Sequence, residues 1–99
     1  MTIDDLTINP MEQKVTRGKK DVYLTRKEFL LLECLMKTPG RVLSRGIIME
    51  NVWDINGDPF SNTIEAHIRN LRKKIDTGNS KNKLIHTVPG RGYKIDGRK

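Results

Sequence analysis

The rhythm of hydrophobic and polar positions changes near residue 25 and again near residue 83. Before the first change, apolar residues alternate over short stretches. Leu6-Thr7-Ile8 is closed by Asn9-Pro10, Gln13-Lys14-Val15-Thr16-Arg17 is broken by Gly18-Lys19-Lys20, and Asp21-Val22-Tyr23-Leu24 follows. Brief alternating runs bounded by turn formers predict a small antiparallel meander. From Thr25 the period lengthens to that of a helix. Thr25 is a favourable N-cap, Glu28 stands at the capping-box spacing, and Leu24 and Phe29 are placed to form a hydrophobic staple. Phe29, Leu32, Leu35 and Met36 define the buried stripe, and Pro39-Gly40 ends the helix. Ser44 can cap a second helix, lined on one side by Ile47, Ile48, Val52 and Trp53. Residues 54–60 are dense in turn formers and read as a loop. Ser61 or Asn62 caps a third helix that stops near Thr77-Gly78-Asn79-Ser80. Residues 84–88 then read as a strand, Pro89-Gly90-Arg91-Gly92 as a turn and Tyr93-Lys94-Ile95 as the returning strand.

The pattern is α+β: an N-terminal antiparallel sheet over about 1–24, three helices within 25–76, and a C-terminal hairpin over about 83–96. Ninety-nine residues suit one compact domain with a modest core.

The third helix carries the most information. Ile64, Ile68, Leu71 and Ile75 form a narrow apolar seam that must face the core. The opposite face carries Ala66, Arg69, Asn70 and Lys73, with Asn62 below them. Thr63, His67 and Lys74 flank one side, and Glu65 and Arg72 the other. Glu65 falls in the first turn, where an acid suits the helix dipole. Arginine and asparagine match the donor and acceptor geometry of guanine and adenine edges in the major groove. Ala66 is small enough to let the helix approach bases and touch a thymine methyl, and the lysines suit phosphates. The bland alternative is a solvated helix face, since charged outer faces are ordinary.

Charge weighs against that alternative. Residues 1–60 hold nine Lys/Arg and nine Asp/Glu, whereas residues 61–99 hold ten and three, so the whole formal charge of +7 lies in the final stretch. A neutral front carrying a basic helix and a basic hairpin fits a scaffold that presents both to a polyanion. Arg91 at the hairpin turn could reach a narrow minor groove, which attracts arginine, or could simply keep a tight turn soluble.

Other chemistries find less support. Cys34 is the single cysteine, which excludes an intrachain disulfide, and it reads as a small core residue among leucines. A zinc site is disfavoured because only His67 and His86 could join it, and His67 has no acid or cysteine at ligand spacing. His67 itself could be partly buried or touch a phosphate. The longest apolar run, Phe29-Leu30-Leu31-Leu32, is far short of the ~20 residues of a membrane span. Acids near Met1 do not resemble a signal peptide, so a cytoplasmic protein without a membrane partner is expected. No nucleophile, base and orienting acid stand in an enzyme-like pattern, and no cofactor is implied. Five aromatics, mostly needed for packing, disfavour RNA.

Five blocks then resemble, in order, the OmpR/PhoB-type effector domain, the DNA-binding half of two-component response regulators. They are Leu24-Thr25-Arg26-Lys27-Glu28-Phe29-Leu30-Leu31-Leu32, Pro39-Gly40-Arg41-Val42-Leu43-Ser44-Arg45, Val52-Trp53, the helix from Ile64 to Ile75, and Thr87-Val88-Pro89-Gly90-Arg91-Gly92-Tyr93. The resemblance runs from about Leu6 to Ile95. It implies a winged helix-turn-helix with a four-stranded N-terminal sheet, three helices and a C-terminal wing. It implies binding to double-stranded promoter DNA, commonly as a head-to-tail homodimer on direct repeats. It places Thr63, His67, Arg69, Asn70, Arg72 and Lys74 on the helix that enters the major groove and brings Thr87 into the DNA-contacting set. Trp53 is similar to the family tryptophan whose indole N–H approaches a phosphate, while the residues alone read it as core; both hold if the ring is buried and its N–H emerges. Residues 54–60 look like the segment that touches RNA polymerase.

Three departures stand out. Pro89 stands where the family often has arginine, and Arg91 is placed to substitute. Asn70 stands where many relatives carry arginine, and an amide at that position would favour adenine. The phosphorylatable receiver domain is absent from the chain, and Asp4, Asp5 and Asp21 are not its phosphoacceptor. The expectation is sequence-specific DNA binding for transcriptional regulation. The alternative is a protein-interaction module that docks the same basic helix onto an acidic partner.

Overall fold

A computed structural model describes residues 1–52, 63–76 and 83–96. Trp53, the 54–60 loop, the cap at Ser61 or Asn62 and the helix stop at 77–80 lie outside the described residues. The elements run β1 (Thr2–Ile3), β2 (Leu6–Asn9), β3 (Lys14–Arg17), β4 (Lys20–Val22), α1 (Arg26–Met36), α2 (Arg45–Val52), α3 (Thr63–Ile75), β5 (Ile85–Val88) and β6 (Gly92–Ile95). The first four strands form an antiparallel sheet in sequential order, and β5 and β6 form a separate hairpin.

Each strand of the first sheet puts its apolar residues on one face, as the alternation requires. Leu6 and Ile8 of β2 and Val15 of β3 are buried, and Ile8 pairs directly with Val15. The extra strand β1 is only two residues long and pairs Thr2 with Thr7 and Ile3 with Leu6. Alternation alone cannot reveal so short an element; the family resemblance implied it. β4 stops at Val22 rather than Leu24, and Tyr23 is exposed.

α1 starts as its cap predicts. The Glu28 amide donates to Thr25 Oγ1 at 3.2 Å, and the Thr25 amide donates to Glu28 Oε1 at 2.9 Å. The buried face of α1 is wider than the predicted stripe, because Leu31 is also fully buried. The reason is that α1 packs against α2, α3 and β6 together. Ser44 Oγ accepts from the Ile47 amide at 3.2 Å and so caps α2. Ile47 does not join the inner face. It is 43% exposed, while Ile48 is fully buried. Successive residues point about 100° apart on a helix, so these neighbours cannot both face α1.

Ile64, Ile68, Leu71 and Ile75 are all buried, as the seam of α3 requires. They meet Leu31, Leu32 and Leu35 of α1 and Leu84, Ile85 and Ile95 of the hairpin in one core. Full burial of each such side chain stabilises the fold by about 1.5–3 kcal/mol. The result is the α+β winged helix-turn-helix arrangement: a sheet, three helices and a wing whose core side fixes which face of α3 is left outward.

Candidate nucleic-acid interface

The seam turns Arg69, Asn70 and Lys73 away from the core, and all three are exposed. Ala66 and His67 are half-buried beside them. Thr63 opens α3, and Trp53 and Asn62 lie outside the described residues. The structure therefore groups an arginine, an amide and a lysine on one open helical face, the types that suit base edges and phosphates respectively.

Two cations predicted for this face are engaged within the protein. The Arg72 guanidinium reaches the wing, where its Nε donates to the Ile85 carbonyl at 3.3 Å and its terminal nitrogen donates to Thr87 Oγ1. The Lys74 ammonium pairs with buried Glu28 Oε1 at 2.6 Å. A helical wheel gives the direction of a side chain but not its neighbours, so sequence spacing did not reveal these two bonds. Arg72 and Thr87 thus join α3 to the wing, and Lys74 joins α3 to the first turn of α1.

Glu28 feels two opposed effects. Burial alone would raise its carboxyl pKa, but the Lys74 ammonium and the Thr25 amide and hydroxyl outweigh burial and hold the group below its ordinary value. A carboxyl depressed in the folded state stabilises above its unfolded pKa, and the gain is lost as pH falls through the folded pKa. Wild type should therefore exceed Glu28→Gln in stability most clearly above the ordinary glutamate pKa, and the gap should shrink as the pH falls below that value. Urea denaturation of both proteins above and below it checks this. A pH-independent gap would show that the charge of Glu28 is immaterial.

The wing is built by its turn. The Arg91 amide donates to the Val88 carbonyl at 3.0 Å, with Pro89 and Gly90 between them and Gly90 at φ +75°. Proline first and a positive-φ glycine second define a type II turn. Arg91 is left exposed just beyond it. The base of the wing is tied to the α1–α2 connection, where Leu43 and Tyr93 exchange backbone hydrogen bonds of 2.8 and 3.0 Å.

A buried carboxylate fixes the wing against α3. Asp76 follows the last residue of α3, and its side chain is 1% exposed. Its oxygens accept from the amides of Leu84 and Ile85, each at 3.1 Å, and from Arg17 of β3 at 3.1 Å. Arg17 also donates to the Ile75 carbonyl and to Asp5 Oδ1. One acid therefore ties the end of the helix, the start of the wing and the N-terminal sheet.

Between the wing and α2 lies an open cleft of about 460 Å³, bordered by Ser44, Arg45 and Gly46 at the start of α2 and by Thr87, Arg91 and Tyr93 of the wing. A helix N-terminus flanked by two guanidinium groups suits a phosphate. Arg45 Nε donates to Glu65 Oε2 across the mouth of α3 at 3.2 Å. Burial pushes the Tyr93 phenol up, and Glu65 adds to this against Arg72 and Arg45. The phenol is thus a neutral donor near pH 7. Arg45 and Tyr93 were not among the predicted contacts. Both fell within the quoted blocks, but only the fold brings them to α3.

Cys34 is half-buried on the far helix, and burial pushes its thiol up, away from the reactive thiolate. Among the described residues, no cluster of three or more His, Cys, Asp or Glu side chains could hold a metal ion. Among them too, no helix is long and apolar enough to cross a membrane.

The family described as "Transcriptional regulatory protein, C terminal" matches residues 18–95. Response regulator MprA of Mycobacterium avium (strain 104) is 44% identical over 93 residues, covering 94% of this chain and 40% of that protein. The chain thus spans about two fifths of the length of the curated relatives it matches. The DNA-binding domain of CpxR from Escherichia coli superposes with a TM-score of 0.83 at 32% identity, covering 100% of this chain and 97% of that one. The Klebsiella pneumoniae RstA DNA-binding domain, solved in complex with the RstA box, gives a TM-score of 0.83 at 26% identity, covering 97% and 95%.

Proposed function

Because the chain belongs to the family of C-terminal domains of transcriptional regulatory proteins, of the OmpR/PhoB type, we propose that it binds double-stranded DNA sequence-specifically to regulate transcription. α3 enters the major groove, and the β5–β6 wing lies against the neighbouring minor groove. The observation that carries this reading is the exposed triad Arg69, Asn70 and Lys73, set opposite a fully buried seam. Arg69 and Asn70 read bases, Lys73 meets phosphate, and Arg91 at the wing tip meets the minor groove. Arg72, Thr87 and Lys74 hold α3 and the wing in the geometry that this docking needs. The RstA domain that this chain resembles was solved on its own DNA box, which supports the same class of partner here.

Two further elements of the proposal rest on the family resemblance. They are head-to-tail docking of two copies on direct repeats, and RNA polymerase as a partner of residues 54–60. A cytoplasmic place for the domain follows from its partner.

Titration of labelled duplexes across a range of salt tests the reading. Each phosphate neutralised contributes a log–log slope of about −0.9. Lys73→Ala should weaken all duplexes alike and make the slope shallower by about 0.9. Arg69→Ala and Asn70→Ala should each cut the preference for the best sequence by about 1–3 kcal/mol. Equal losses on specific and random duplexes for all three variants would show that α3 is not the reader. Competition by DNA with an acidic protein partner, without sequence preference, would favour the interaction-module reading instead.

A further inference from the structure

Among the described residues of α3 and the hairpin, Glu65 is the one exposed acid. It stands in the first turn of α3, and its carboxylate is held by Arg45 at 3.2 Å. Both partners are about half exposed, and such pairs contribute little to stability. A carboxylate on a face that receives phosphates also repels every duplex. That repulsion is the same for all sequences unless the carboxylate finds a donor on a base.

The position of Glu65 allows this. It lies one turn before Arg69, so the two side chains are neighbours on the helix surface. Residues at the N-terminal end of a major-groove helix are the ones that contact base edges. In that groove a carboxylate can accept from an exocyclic amine. Cytosine shows an amine alone, whereas adenine sets its N7 acceptor beside its amine, where it would repel the acid. Arg45, once released, stands at the start of α2 beside the cleft that suits a phosphate.

We propose that Glu65 is a specificity-determining residue: on docking, its carboxylate leaves Arg45 and accepts a hydrogen bond from the N4 amine of one cytosine. The inference rests on α3 being the major-groove helix. Exchange of partners makes the repulsion a penalty that only a cytosine at that position relieves. Glu65 thereby weakens generic binding more than specific binding.

Parallel selection of wild type, Glu65→Ala and Glu65→Gln on a random duplex library tests this. Wild type should enrich a motif with one position fixed as cytosine. In Glu65→Ala, preference at that position alone should fall roughly tenfold, while mixed-sequence duplex is bound several-fold more tightly. Glu65→Gln should move that position toward adenine, which suits a side-chain amide. An unchanged motif in Glu65→Ala, with affinity raised or lowered uniformly, would overturn the proposal and leave Glu65 an electrostatic brake or a holder of Arg45. Absence of any motif with wild type would instead overturn the reading of α3 as a sequence reader, and the role of Glu65 with it.

Discussion

Gly92→Ala should unfold the wing and cost the domain about 3 kcal/mol or more. Gly92 sits at φ +141°, a region that side chains rarely adopt, and an added Cβ would lie 2.0 Å from the Leu43 carbonyl oxygen. The strained backbone alone costs on the order of 1–3 kcal/mol. The clash is with backbone, so relief requires Leu43 and Tyr93 to part, and each backbone hydrogen bond lost there costs about 1 kcal/mol more. For a domain of this size the melting temperature should drop by on the order of 10–20 °C. Thermal denaturation followed by circular dichroism measures it. A shift of only a degree or two would mean that the wing is not held to the α1–α2 connection as described. By contrast, Gly90→Ala meets nothing within 4 Å, and its penalty comes only from its positive φ.

Asp76→Ala should be comparably damaging, by about 3–5 kcal/mol, the usual result of removing one partner of a buried charge pair. The substitution leaves the largely buried Arg17 guanidinium with the exposed Asp5 as its carboxylate partner beside the Ile75 carbonyl, and it removes the acceptor from the buried Leu84 and Ile85 amides. Arg17→Met should cost less, because the Asp76 carboxylate keeps its two amide donors. Urea denaturation of both variants checks the ranking. Equal, small losses would show that solvent replaces the carboxylate and that the wing is anchored by packing alone.

These two positions show what was legible in the sequence. α1 could be read because its cap, its acid three residues on and its terminating Pro39-Gly40 are local signals, and local geometry realises all of them. The α3 seam could be read because four apolar residues fit only one helical face. Ile47 was misplaced because two adjacent isoleucines carry no sign of which one turns inward. Leu31 was hidden in a run of leucines, where periodicity has no contrast. Long-range pairing was the larger gap. Glu28 meets Lys74 across 46 residues and Arg17 meets Asp76 across 59, and nothing in the local pattern announces either. The pattern of the third helix therefore puts Arg72 and Lys74 among the candidate DNA contacts, and the fold gives each a protein partner as well. The outward direction of Arg69, Asn70 and Lys73 follows from the same seam that the sequence displays. The role proposed for them on DNA rests on chemistry and family.

We propose above that this domain reads a sequence in duplex DNA. Selection of wild-type domain on a random duplex library at moderate salt, with the enriched pool sequenced, tests it most directly. One motif should be enriched, present as a direct repeat with half-sites about one helical turn apart. Salt-sensitive binding without any enriched motif would contradict it and reduce the basic face of α3 and the wing to a generic polyanion surface.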